Sequence, residues 1–235
     1  MDILVDFDNI ERQTRDRGVS WVCTKILQAI AKSRGDVPAR CRIRLYGGWY
    51  DNDVLSKIAQ ALVPSIQSEF PSAIRWNGRG KIGDCLTEVE MACSLAAEPG
   101  RTLTHTIRTV PFEEKVRCQT DLLGRCGQSP CPMKPIGDFF RTKRCPSGRC
   151  YMTPGDLLEK ETQKLVDTML VADLIFYATR DRGELVVVSS DDDMWPGIQS
   201  ALFLGARVLH LHTHPNFRTR PSYSQGLQNY RETTL

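Results

Sequence analysis

The chain has no apolar run that approaches the roughly 18 residues a membrane-spanning helix needs. It also has no basic, signal-like segment at its N-terminus, because Asp2 leads directly into an apolar strand. No internal repeat is visible. These absences argue against a membrane or secreted protein and predict a cytoplasmic location with no membrane partner.

The composition is typical of a globular protein: of 235 residues, 41% are hydrophobic and 25% are charged. This length suits one large domain, or one domain that carries an insertion. The nine cysteines would suit disulfides in a secreted chain. Without a signal peptide they are better explained as reduced thiols or metal ligands.

The formal net charge of +3 is unevenly distributed. Residues 115–150 carry eight basic and two acidic residues, and residues 205–235 carry four and one, so the remainder is acidic. An acidic body with basic appendages is expected if the body binds metal and the appendages bind a polyanion. Basic surface segments also serve plain solubility.

Apolar strands and amphipathic helices alternate in two parts of the chain. The pattern predicts strands at 2–7, 41–49, 73–76, 185–188 and 207–211, and helices at 20–32, 53–67 and 154–177. Alternation of this kind is typical of a parallel sheet covered by helices. We therefore expect an α/β protein with a three-layer, Rossmann-like parallel sheet.

The alternation is interrupted by a loop-rich segment with many Cys, Pro and Gly residues. We assign residues 100–155 to a basic, cysteine-rich insertion. Residues 1–99 and 156–212 would form the discontinuous α/β domain. Residues 213–235 are predicted to be a polar, mobile tail.

Carboxylates follow two of the buried strands. The first strand ends in Asp6, Asp8 and Asn9, and a later one ends in residues 191–193, all aspartates. Ligand sites of open α/β sheets lie outside the carboxyl ends of the strands, so neighbouring strands would bring these acids together. A cluster of hard oxygen ligands favours Mg²⁺ or Mn²⁺. The alternative is that these residues only cap turns and helices.

In these segments the chain resembles the NYN domain, a branch of the PIN-like ribonucleases. The resemblance rests on three motifs in the family's order: Val5-Asp6-Phe7-Asp8-Asn9, Lys164-Leu165-Val166-Asp167 and Val188-Ser189-Ser190-Asp191-Asp192-Asp193. It covers residues 1–95 and 155–212. Leu165 departs from the pattern, because the family prefers Gly there.

The resemblance implies a metal-dependent endoribonuclease that hydrolyses RNA phosphodiester bonds. Asp6, Asp167, Asp191 and Asp193 would hold the metal and activate water, and Asn9 would position the phosphate or an aspartate. Asp8 is a further candidate metal ligand. Asp173 lies six residues after Asp167 on roughly the opposite flank of one helix, so it would face solvent or a structural partner.

The insertion offers a candidate zinc site. Cys126 and Cys131 form one pair, and Cys145 and Cys150 form a second pair with the same spacing. Four thiolates brought together by two short turns suit a structural Zn²⁺ in a segment without its own core. Cys118 is a spare or alternative ligand, and free thiols are the alternative to zinc.

Several basic residues are candidate RNA contacts: Arg75, Arg79, Lys81, Lys143 and Arg144. Surface salt bridges would use the same residues. Phe139 and Phe140 could stack on unpaired bases, although a small core in the insertion is the stronger interpretation. The residues His210, His212 and His214 alternate on the last strand, and their ordinary explanation is a solvent-facing row rather than a metal site.

Two other functions stay open. The chain could be a catalytically inactive nucleic-acid-binding NYN module. The Asp6-x-Asp8 pattern also resembles the haloacid-dehalogenase phosphatases, although Asn9 favours the nuclease. The expected partner is single-stranded or structured RNA, and the sequence leaves open a homodimer or a regulatory protein partner.

Overall fold

The computed structural model describes every residue except 113–118, 120, 121, 123, 124, 126, 128, 148, 164, 181 and 182. It divides into two units: unit 1 contains residues 1–107 and 163–235, and unit 2 contains residues 108–162. The sequence placed these boundaries at 99/100 and 155/156.

The strands are β1 (Asp2–Asp6), β2 (Arg40–Tyr46), β3 (Tyr50–Asp51), β4 (Val54–Leu55), β5 (Ser72–Gly78), β6 (Lys81–Met91), β7 (Ile107–Pro111), β8 (Glu159–Gln163), β9 (Glu184–Val188), β10 (Arg207–His212) and β11 (Tyr230–Thr234). The helices are α1 (Arg12–Arg15), α2 (Val19–Arg34), α3 (Lys57–Glu69), α4 (Lys134–Thr142), α5 (Pro154–Leu157), α6 (Val166–Arg180), α7 (Trp195–Phe203) and α8 (Pro221–Ser224).

Unit 1 is built on a mostly parallel sheet. Within the described residues, seven strands follow the order β11-β10-β9-β1-β2-β6-β5. Every neighbouring pair is parallel except β5 and β6. The architecture is mixed α/β and compatible with a Rossmann-like fold.

Helices cover the sheet because successive side chains of the central strands point to opposite faces. Ile3 and Val5 pack in a buried cluster with residues of α2, whereas Leu4 and Val187 pack with α6 and α7. The central strands are therefore apolar on both faces, as the continuous hydrophobic runs predict.

The sheet differs from the sequence prediction at both edges. The strand expected at 73–76 extends to residue 78, and β5 and β6 form an antiparallel hairpin whose two-residue turn is Arg79-Gly80, both with positive φ. The prediction of a polar tail at 213–235 is also wrong, because this segment contains α8 and the edge strand β11. Buried Tyr230 anchors that strand beside β10.

Two predicted helices have different bounds in the structure. The helix expected from Asp53 starts instead at Lys57, where the Ser56 hydroxyl accepts a hydrogen bond of 3.3 Å from the Ala59 amide. The helix expected over 154–177 is divided into α5, β8 and α6. Its first apolar residues, Leu157 and Leu158, are exposed, so they do not mark a buried helix face.

Unit 2 contains α4, α5 and most of β7 and β8. The Phe112 amide donates to the Leu158 carbonyl at 2.9 Å. The rings of Phe139 and Phe140 have centroids 6.0 Å apart, and Phe140 meets Phe112 edge-on at 5.8 Å. These two phenylalanines contribute to a small aromatic cluster.

Candidate metal-binding and catalytic site

The carboxyl ends of β1 and β9 lie side by side in unit 1. The two strands are parallel neighbours, with Val5 opposite Val188. Asp6 therefore ends β1 beside the point where Ser189 leaves β9. The acidic segments at opposite ends of the sequence meet because the strands that carry them are adjacent.

Asp6 is the most buried of the predicted acids, with 5% of its surface exposed. Its carboxylate accepts hydrogen bonds from the Asn9 amide at 3.2 Å and the Ser189 hydroxyl at 3.0 Å. Burial is the main cause that raises the pKa of Asp6 to about 7, and the charges of Asp167 and Asp8 raise it further. Asp6 is thus a buried carboxylate on which the neighbouring charges of Asp167 and Asp8 act with the same sign.

Asp167 and Asp191 extend the acidic cluster. Asp167 lies in the first turn of α6, and its pKa is raised by loss of solvation and by the charges of Asp191, Asp193 and Asp8. Asp191 caps the 3₁₀ turn Asp192–Met194 by accepting a hydrogen bond of 3.0 Å from the Asp193 amide. The charges of Asp191 and Asp193 therefore act on Asp167, and Asp191 also performs the capping role.

Asp8 has a different environment from that expected of a metal ligand. One carboxylate oxygen accepts from Arg15 at 3.2 Å, and the other accepts from the Gly48 amide at 2.7 Å and from Gln163 at 2.6 Å. Protein donors already occupy both oxygens, so Asp8 suits a role in fixing the loop after β2 better than the predicted ligand role. No sequence motif indicates that Arg15 and Gln163 would contact Asp8.

Asn9 joins the ends of three strands. Its side-chain oxygen accepts from the Ser190 amide at 2.8 Å and from the Thr213 hydroxyl. Asn9 therefore fixes the backbone immediately before Asp191, in agreement with a role in positioning an aspartate.

The prediction for the histidines of β10 needs correction. His210 and His212 were expected to face solvent, but they are only 4% and 3% exposed. His210 donates to the Ser189 carbonyl at 2.9 Å and accepts from the Tyr230 hydroxyl at 2.9 Å. They are buried because β11 pairs with β10, which was expected to be the last strand of the sheet. His214 is partly exposed, with its ring 3.7 Å from Glu11.

Asp173 contacts structural partners rather than solvent, which is one of the two environments predicted for it. It is 1% exposed and accepts from Arg44 at 3.0 Å and from Tyr46 at 2.7 Å. The Ala96 amide donates a third bond at 2.7 Å.

The predicted basic contacts Arg75, Arg79 and Lys81 lie far from the acids. β6 runs parallel to β2 from Lys81 to Met91, so Lys81 is roughly 30 Å along the strand from its carboxyl end. Arg79 donates to the carbonyls of Lys32 and Ser33, at the end of α2. If these residues contact RNA as predicted, they do so away from the acidic cluster.

Comparison with protein-family models, with curated proteins and with solved structures finds no match. The NYN resemblance therefore rests on the sequence motifs alone. In the part of the chain that the structure describes, no helix is long and apolar enough to span a membrane.

The carboxylates suit a hard divalent cation by their chemistry. Oxygen ligands without His or Cys are typical of Mg²⁺ and Mn²⁺ sites, and a cation would relieve the repulsion that raises the pKa values of Asp6 and Asp167. Among the described residues, no three His, Cys, Asp or Glu side chains already stand in a metal-holding arrangement.

The remaining predicted residues belong to unit 2 or to the undescribed positions. Cys118, Cys126 and Lys164 lie outside the described residues. Cys131, Cys145 and Cys150 are partly buried. The Ser147 hydroxyl, 3.4 Å from the Cys145 sulfur, lowers the pKa of that thiol, and Cys150 contributes to the shift. Lys143 and Arg144 are exposed at the end of α4.

Proposed function

We propose that this protein is a metal-dependent endoribonuclease of the NYN branch of the PIN-like fold. The observation that carries the proposal is that β1 and β9 end side by side, where the Ser189 hydroxyl joins Asp6 to the Asp191 amide. The charges of Asp191 and Asp193 act on Asp167, and that of Asp167 acts on Asp6. The three motifs in family order and the mostly parallel sheet support it. An RNA substrate and a cytoplasmic location are parts of the same proposal.

The backbone at Leu165 gives further support. Its φ is 69°, in the left-handed region that glycine adopts readily and other residues rarely adopt. This is the position at which the family prefers Gly. The backbone at position 165 thus has the conformation that favours glycine, although the residue here is leucine.

Asp6, Asp167, Asp191 and Asp193 would hold Mg²⁺ or Mn²⁺. Such an ion lowers the pKa of bound water and neutralises charge that develops on a phosphodiester. Ser189 would keep the Asp6 carboxylate in place through its hydrogen bond, and Asn9 would hold the backbone that leads to Asp191.

The residues after Asp8 disfavour the phosphatase alternative. Those enzymes usually follow the Asp-x-Asp motif with Thr or Val and a Gly-rich turn, whereas this chain continues with Asn9, Ile10 and Glu11. Asn9 instead fixes the backbone before Asp191, which suits the nuclease.

The test is an assay of the full chain with labelled single-stranded RNA, single-stranded DNA and a phosphomonoester, each with Mn²⁺ or EDTA. We expect Mn²⁺-dependent cleavage of RNA, lost in Asp6→Asn and Asp191→Asn although both fold. Asp36→Asn, which changes an exposed acid, is the matched control and should keep the wild-type rate. RNA binding without cleavage would favour the inactive binding module, and phosphomonoester turnover would favour the phosphatase.

For unit 2 we infer a structural Zn²⁺ held by Cys126, Cys131, Cys145 and Cys150. The influence of Cys150 on the Cys145 thiol supports the proximity of one pair. We expect about one zinc per chain by elemental analysis, lost in the double variant Cys145→Ser, Cys150→Ser. A zinc-free preparation with the same melting temperature would contradict this inference.

A further inference from the structure

A cavity of about 680 Å³ adjoins the acidic cluster in unit 1. Its wall combines acidic, aromatic and basic side chains, among them Asp192, Asp193, Trp195, Arg220 and Tyr223. Asp193 belongs to both features, because it lines the cavity and its charge acts on Asp167. The volume lies within the range of small-molecule sites in proteins.

An aromatic platform forms one part of this wall. The ring of Tyr223 stacks on that of Trp195, with centroids 5.4 Å apart and planes inclined by 12°. Trp195 is buried and meets Tyr230 edge-on at 5.4 Å, so the core fixes its position. Tyr223 is 38% exposed. The cavity therefore presents a partly exposed aromatic ring on a rigid support.

Arg220 supplies a positive charge beside the platform. Its guanidinium lies 2.9 Å from Asp192 and 5.8 Å from the centroid of the Tyr223 ring. Both members of the ion pair are largely exposed, so the pair contributes little to stability. A phosphate group, which guanidinium binds in a two-pronged geometry, can replace Asp192 as the partner of Arg220.

We propose that this cavity, formed by the start of α7 and by residues 220–223, binds one nucleotide of single-stranded RNA beside the acidic cluster. The base stacks on Tyr223 and the phosphate pairs with Arg220. Stacking needs an unpaired base, which favours a single strand over a duplex. The inference rests on the proposed function, because it makes the cavity the substrate site of that same catalytic centre.

The test measures binding separately from cleavage. A fluorescein-labelled, ten-nucleotide single-stranded RNA of mixed sequence is titrated with the full chain in EDTA, and fluorescence anisotropy gives the Kd. We expect Tyr223→Ala to bind roughly 5- to 100-fold more weakly, because one base loses its stacking partner. Tyr223→Phe keeps the ring and should bind as the wild type does.

Phe203→Ala is the matched control, since Phe203 is 92% exposed and is not part of the cavity wall. Its Kd should not change. If Tyr223→Ala lowers the melting temperature, Tyr223→Leu preserves apolar contact with Trp195 and removes the flat ring, and it should show the same weaker binding.

Arg220→Gln tests the phosphate contact. It should reduce the slope of log K against log salt by about 0.7, the value for one phosphate of a single strand. Arg40→Gln, at the amino-terminal end of β2 and therefore at the end of the sheet opposite to the acidic cluster, should leave the slope unchanged.

Unchanged affinity in the folded Tyr223 variants would overturn the inference, as would equal weakening for a duplex RNA of the same length. Weaker binding in these variants supports the cavity even if the wild type cleaves no RNA. In that case the nuclease proposal fails and the binding site stands.

Discussion

The Ser189 hydroxyl donates a hydrogen bond of 3.0 Å to the Asp6 carboxylate, and the same oxygen accepts one of 3.0 Å from the Asp191 amide. One small side chain thus joins two acids that lie 185 residues apart in sequence. Its backbone carbonyl accepts a further hydrogen bond from His210. Ser189 is fully buried, so water cannot replace these contacts.

We expect Ser189→Ala to lower the free energy of unfolding by about 1–3 kcal/mol, because it leaves buried polar groups without a partner. It should also reduce the rise in melting temperature that Mn²⁺ produces, since Asp6 and Asp191 lose their common anchor. Urea unfolding and a Mn²⁺ titration of the melting temperature measure the two effects. Ser200→Ala, on α7, removes only a hydrogen bond to the Pro196 carbonyl and should change neither quantity appreciably.

The free energy of unfolding should depend more strongly on the buried ion pair of Arg44 and Asp173 than on Ser189. Asp173 accepts from Arg44, from the Tyr46 hydroxyl and from the Ala96 amide. We expect Asp173→Ala to cost about 3 kcal/mol, because the buried guanidinium then keeps only the partly exposed Glu90 as a charge partner, and the Tyr46 hydroxyl and the Ala96 amide lose their acceptor. Chemical unfolding at pH 7 measures the loss.

The matched comparison is Asp2→Ala, which removes the partner of Arg42 in a solvent-accessible pair with a nitrogen–oxygen distance of 2.7 Å. We expect a loss of only about 0–1 kcal/mol there. Equal losses at the two positions would contradict the importance of burial for the Asp173 network.

The meeting of Asp6 with the acids near Asp191 could be predicted from sequence. Both segments follow continuous apolar runs, and such runs in a parallel sheet end at the same edge. Their exact partners could not be predicted. Ser189 and Thr213 are ordinary polar residues, and only the register of neighbouring strands brings them to Asp6 and Asn9.

The edge strand β11 could not be predicted for a different reason. β11 reads Tyr-Arg-Glu-Thr-Thr, a short polar segment with a single buried apolar anchor. An edge strand packs on fewer neighbours, so its sequence carries a weaker hydrophobic pattern. Because β11 was not predicted, His210 and His212 were expected to be exposed. The cavity that Arg220 lines could not be anticipated either.

Leu165 offers a test of backbone strain beside the site. Its φ of 69° is costly for a residue with a Cβ atom, and its side chain is 42% exposed, so little burial would be lost on truncation. We expect Leu165→Gly to raise the free energy of unfolding by about 1 kcal/mol. Thermal or urea unfolding measures the change.

Leu204→Gly is its matched control, because Leu204 is similarly exposed and has a φ of −73°, which leucine adopts without strain. Glycine should destabilise the protein at that position. A loss of stability in both variants would contradict the assignment of strain to Leu165.

His210 should make stability depend on pH. Burial is the main cause that lowers its pKa to about 4, and the neighbouring His212 lowers it further, while the Ser189 carbonyl and Glu232 act in the opposite direction. The unfolded chain therefore binds a proton more readily than the folded protein between pH 6.5 and 4. The contribution of neutral His210 to the free energy of unfolding is fully present above about pH 6.5 and is lost as the pH falls toward 4.

The variant His210→Gln stays neutral throughout this range. Between pH 6.5 and 4.5 we expect the wild type to lose about 2 kcal/mol more of its free energy of unfolding than the variant loses. His105→Asn, a change at an exposed histidine whose positive φ asparagine tolerates, should retain the wild-type pH dependence. Parallel urea-unfolding curves for the wild type and His210→Gln at both pH values would show that His210 is not the group responsible, because a neutral side chain cannot lose stability by protonation.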